Sequence, residues 1–141
     1  MTTNTTPAFP PSRRDPRQVT NTLKRTLNYN DADAALASFA NSLPIGAFIT
    51  NVRVYIVTAF NAGTTNPITI GGNATSYNNI AQSGDITNTS ATLSSPTRGL
   101  GLAATSQTAE TPIFATYIPT GTAPTAGQAV IVIEYEGGNL S

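Results

Sequence analysis

Residues 48–58 constrain the fold more than any other stretch of the chain. Val52, Val54 and Ile56 alternate there with Asn51, Arg53 and Tyr55. A period of two places the first set on one face of an extended strand and the second on the other. Phe48 is expected on the apolar face with the first set, and 48–58 is read as the central strand of the fold. At 129–135 the alternation gives way to consecutive β-branched residues, Val130-Ile131-Val132-Ile133. Such a run predicts a strand covered on both faces, in the middle of a sandwich. Its expected antiparallel partner is 111–118, reached through 119–127, where Gly121, Gly127 and Pro124 favour turns.

Weaker strand signals lie at 23–29, 35–39, 68–70, 85–87 and 99–103. Residues 61–67 read as a hairpin link from the central strand to 68–70, which Gly71-Gly72 ends. The local rival is a helix over 31–41, where good helix formers follow an acidic start that suits the helix dipole. Apart from this stretch no period of 3.6 residues is present. The expectation is an all-β protein, a jelly-roll-like antiparallel sandwich of about eight short strands occupying residues 23–141, preceded by an extended arm at 1–22.

The arm differs in kind from the body. Pro7, Pro10, Pro11 and Pro16 punctuate it and it has neither period, so in isolation it is expected to be extended. The chain is neutral overall, with 7 Lys and Arg against 7 Asp and Glu. Residues 1–30, however, hold Arg13, Arg14, Arg17, Lys24 and Arg25 against Asp15 alone, a net +4, which leaves −4 for the rest. A nucleic-acid site would interleave such cations with aromatic side chains for stacking. Phe9 is the only aromatic before Tyr29. The five cations are therefore expected to pair with carboxylates of another protein, ordering the arm as it docks, with no nucleic acid as partner.

Enzymatic chemistry is poorly supplied. The chain has no His, no Cys and no Trp, and only 10% of its 141 residues are charged. An imidazole base, a thiol nucleophile and an ordinary zinc site are thereby excluded. Glu134 and Glu136 lie on one face of a strand, where their ordinary role is to keep the sheet soluble. Asn28, Asn30, Asp31 and Asp33 form an oxygen-rich cluster without the glycine and closing glutamate of a calcium loop. Lys24, the only lysine, has no serine placed to form a Ser–Lys nucleophile. Gly71-Gly72 and Gly99-Leu-Gly101 lack the following helix that a phosphate loop needs. A hydrolase working with carboxylates alone normally has aromatic platforms beside them. No catalytic residue, no metal and no cofactor is expected. No apolar run is long enough for a signal peptide or a membrane helix, so the chain reads as soluble, made inside a cell and without a membrane partner.

The run LPIGAFITNVRVYIVTAFNAGTTNPITIGG at 43–72, YNNI at 77–80 and PTGTAPTAGQAVIVIEYEGG at 119–138 resemble small β-rich virion proteins of tailed bacteriophages, over most of residues 22–138. In size and build the chain is most similar to the capsid decoration, or cement, proteins. That resemblance implies a homotrimer on the outer surface of the capsid that clamps major capsid protein subunits, with the arm as the clamp and no active site. Head fibres and tail components share the same style of strand and turn. The alternative it leaves is such a component, contacting a host-cell receptor through loops such as 61–67 or 121–127.

Overall fold

The computed structural model describes residues 20–97 and 109–137. Among these residues seven strands form two antiparallel sheets: β1 (Asn21–Asn28), β2 (Ala37–Ser38), β3 (Ala47–Thr58), β4 (Ile68–Gly71), β5 (Leu93–Ser94), β6 (Phe114–Tyr117) and β7 (Gln128–Gly137). The larger sheet has the order β1-β7-β3-β5 and the smaller β2-β6-β4. The pairings are nested, with β1 against β7, β2 against β6 and β3 against β5. This is the winding of a jelly roll, in which a long double ribbon is rolled into two packed sheets. The eighth strand of that scheme is reduced to a single bridge, in which Ala81 and Ile70 exchange backbone hydrogen bonds next to Ile80.

Alternation builds the core. Leu23 and Leu27 of β1, Val52, Val54 and Ile56 of β3, and Ala129, Ile131 and Ile133 of β7 are all buried, and they meet Ile68, Ile70, Ala115 and Tyr117 of the smaller sheet. One prediction about this face is corrected. Phe48 is exposed, because the pairing of β3 with β7 slips by one residue between Ile49 and Asn51. That bulge turns Ala47 and Ile49 inward below it and Val52, Val54 and Ile56 inward above it, which leaves Phe48 outside.

The expected partner of 129–135 is also corrected. Phe114–Tyr117 pairs with β4 and β2, whereas β7 pairs with β1 and β3. Residues 119–127 therefore cross from one sheet to the other, as do 61–67 between β3 and β4, and neither is a hairpin. The two crossings are laced together at one end of the sandwich. Gly63 and Thr64 donate backbone N–H groups to the carbonyls of Thr122 and Thr120. The Asn61 side chain accepts from the N–H groups of Thr125 and Ala126, both at 2.9 Å. A nine-residue crossing pinned in this way has no need of the tight turn a hairpin requires.

The strand expected at 35–39 is present in short form as β2, and its helical rival over 31–41 amounts to a 3₁₀ turn at Ala34–Leu36 before Phe39 donates its N–H to Ile113 at 3.0 Å. One further expectation is revised. At 85–87 no strand forms. Ser83–Asp85 is a 3₁₀ turn whose Asp85 carboxylate accepts from the N–H of Gln82 at 2.9 Å. The strand expected at 99–103, and with it Gly99-Leu-Gly101, lies outside the described residues.

Beneath the laced crossings, Phe60 and Tyr117 pack with ring centroids 4.6 Å apart. The Tyr117 hydroxyl donates to Asn66 Oδ1 at 2.8 Å, and burial pushes its pKa above the usual tyrosine value. Gly127 lies against the Phe60 ring with a φ of +149°. A Cβ at that position would overlap the ring, and the backbone there is one that side-chain-bearing residues avoid. Gly127→Ala is therefore expected to lower unfolding free energy by about 3 kcal/mol, from overpacking and backbone strain together. Urea denaturation checks this, and a loss under 1 kcal/mol would show that the corner yields more easily than its packing implies.

Candidate docking surface

The site begins with the unpaired side of the larger sheet. In register, Thr26 stands opposite Val130, Val130 opposite Tyr55, and Tyr55 opposite Leu93. The next row of the same face is Lys24, Val132 and Arg53, and the row after it Thr22, Glu134 and Asn51. Residues two apart on a strand share a face, so this outer face is apolar at one end, cationic in the middle and acidic at the other end. The β-branched run of β7 was expected to be covered on both sides. Only Ala129, Ile131 and Ile133 are fully buried, while Val130 and Val132 are half-buried on the outer side.

At the apolar end Tyr55, Val57, Leu93, Val130 and Val132 line an open groove of about 460 Å³ with Arg53 at its edge. Leu93 is 56% exposed and Tyr55 50%. Isolated exposed apolar side chains are normal, but a contiguous group rimmed by polar residues marks a surface for contact. The polar groups around it are largely engaged. Arg53 pairs with Glu134, whose second oxygen accepts from Asn51 at 3.2 Å. Thr20, just before β1, donates to Glu136 at 3.4 Å. The two glutamates do share a face, yet Glu134 is held by an arginine and an asparagine, an arrangement suited to fixing the sheet surface rather than moving protons.

The predicted arm cations divide into two groups. Arg13, Arg14 and Arg17 lie outside the described residues. Lys24 and Arg25 belong to β1, with Lys24 exposed on the outer face and Arg25 on the core side. Arg25 makes two hydrogen bonds to Asp33, at 2.8 and 2.9 Å, and a third to the Ser38 carbonyl at 3.3 Å. It thus ties the edge of the larger sheet to the edge of the smaller, and an inward-pointing charge on an edge strand also discourages stray pairing.

The oxygen-rich cluster is likewise accounted for within the chain. Asp31 accepts from the backbone N–H and the side-chain amide of Asn28, at 2.8 and 3.1 Å, while the Asn28 carbonyl oxygen Oδ1 accepts from Gln128. Among the described residues no three His, Cys, Asp or Glu side chains come together as a metal site, and no helix is long and apolar enough to cross a membrane. Sequence reasoning missed the groove residues because Tyr55 was read as part of a polar face and Val130 and Val132 as core. A usable signal was present in the pairing of a doubly apolar β7 with a β3 whose outer face carries Tyr55 and Val57.

No family model matches the chain, and no curated protein matches it. Two solved structures do. A chain of the acid-stable capsid of Helicobacter pylori bacteriophage KHP30 is similar with a TM-score of 0.61 at 16% identity, over 86% of this chain and 90% of that one. A chain of the cyanophage Pam1 capsid asymmetric unit is similar with a TM-score of 0.50 at 18% identity, over 83% of this chain and 84% of that one. At these identities the likeness is one of fold, and it places the described sandwich with β-rich chains found in two phage capsids.

Proposed function

We propose that the chain is a structural virion protein that decorates the outer surface of a bacteriophage capsid and cements it by bridging major capsid protein subunits, as a homotrimer. The observation that carries this reading is that a sandwich of the same fold is found in two phage capsid structures, over more than four-fifths of each chain. The surface chemistry agrees with it. The body offers an apolar groove beside a sheet face on which Arg53 and Glu134 are paired, which suits adhesion to another protein, and no clustered acid, base and nucleophile among the described residues suits turnover. In this reading the arm supplies reach. At about 3.1 Å per residue a Pro-rich stretch of this length extends roughly 60 Å, enough to cross from one subunit to the next. Its cations Arg13, Arg14 and Arg17, with Lys24 at its base, clasp carboxylates on the shell, and a segment that orders on binding wraps a larger area than the body alone. Protein that binds only the assembled shell stabilises it by linkage, and linked copies gain through effective concentration.

A fibre or tail role would place the loops at 61–67 and 121–127 against a host receptor. The mutual hydrogen bonds of those loops leave less of their polar surface for a ligand. Fractionation of disrupted virions separates the cement reading from a tail location. The chain is expected to sediment with heads, and recovery with tails or fibres would overturn the cement role.

A further inference from the structure

We propose that the groove lined by Tyr55, Val57, Leu93, Val130 and Val132 receives the segment Pro7-Ala8-Phe9-Pro10-Pro11 of a second copy of this chain. Three observations converge on that occupant. The first is chemical. The groove is an apolar trough with one aromatic side chain on an open sheet, and 7–11 is an uncharged segment with one aromatic among three prolines. A Pro-rich segment is already extended, loses little entropy on docking, and seats on aromatic-lined grooves.

Length and direction supply the other two. Thr20 lies nine residues along the chain from Pro11, a span of about 28 Å when extended. Thr26, in register with the groove, lies five residues along β1 from Asn21, about 17 Å at the usual strand rise. Going backwards along β1, the chain passes the groove level at Thr26 and leaves the sheet at Thr20 beside Glu136, heading away from its own groove. The same heading carries the arm outward to a neighbour without a reversal. An arm tip seated in another copy's groove is a head-to-tail contact, which closes into a ring when the rotation between copies allows it. The intervening residues 12–19, with Arg13, Arg14 and Arg17, then span the gap between copies. The contact needs only the protein itself, so it stands or falls separately from the capsid reading.

The absence of cysteine from the sequence permits a clean test. Full-length Phe9→Cys and Leu93→Cys proteins are purified, mixed and oxidised, with Ile118→Cys as the control partner for Phe9→Cys. Leu93 and Ile118 are both exposed, at 56% and 57%, so neither change disturbs the core. A disulfide-linked heterodimer is expected at least tenfold more abundantly with Leu93→Cys than with Ile118→Cys. The doubly substituted chain is expected to give linked multimers on a non-reducing gel. Equal yields with both partners, no heterodimer, or a double variant that links only within one chain would each overturn the proposal.

Discussion

Ile131→Ala is expected to cost about 4 kcal/mol of unfolding free energy, the upper part of the range for removing three buried carbons from a core that relaxes incompletely. Ile131 is fully buried on β7, with Arg25 of β1 on one side in register and Val54 of β3 on the other. β7 is the strand on which both of these neighbours depend, so no nearby chain end is free to collapse into the cavity. For a domain of ordinary stability, about 5–15 kcal/mol in all, that is a large fraction. Val130→Ala, one residue away on the outer face, is the matched comparison and is expected to cost under 1 kcal/mol, since it removes only half-buried surface. Urea denaturation of both variants checks the pair. Equal losses would mean that the two faces of β7 are equally packed, contrary to the asymmetry described above.

The second large effect concerns association. In the proposed clasp, reversing Arg13, Arg14 and Arg17 together to Glu is expected to weaken attachment to capsids by at least a hundredfold. A hydrogen bond to a charged group contributes about 1.5–3 kcal/mol, so the loss of even two such contacts reaches that figure before repulsion is counted. These positions precede β1, which begins at Asn21, so the thermal stability of the body is expected to stay unchanged. Lys24→Glu is expected to have a smaller effect. Arg25→Glu is expected instead to destabilise the fold, because it would set a carboxylate against Asp33 where a two-bond ion pair now stands. Co-sedimentation with capsids and a thermal melt on the same samples separate the two kinds of arginine. Undiminished attachment of the triple variant would remove the arm from the mechanism.

The contrast between Arg25 and the three earlier arginines shows what was legible in the sequence. Alternation at β3 and the apolar density of β7 identified both long strands and the all-β class, because burial on one face leaves a period of two. What alternation does not encode is the sheet to which a strand belongs. The lacing of 61–66 to 119–126 through Asn61 and the threonine backbones holds that choice, by contacts between residues more than fifty apart. The bulge near Thr50 was visible in principle, since the apolar positions change phase from 47 and 49 to 52, 54 and 56. The change was hidden because Phe48, an aromatic, continued the even series by chance. Arg25 looked like an arm cation because composition counts charges without regard to side. Its parity with Leu23 and Leu27 on β1 already placed it facing inward. The docking groove was the least legible feature, since it exists only where outer-face residues of three strands, β3, β5 and β7, come into register.

Electron cryomicroscopy of purified virions locates the protein. Density for the sandwich is expected on the exterior of the head, with residues 1–19 traceable across the boundary between major capsid subunits. Density for the sandwich on the tail, or an arm folded back on its own body without touching a shell subunit, would contradict the cement role.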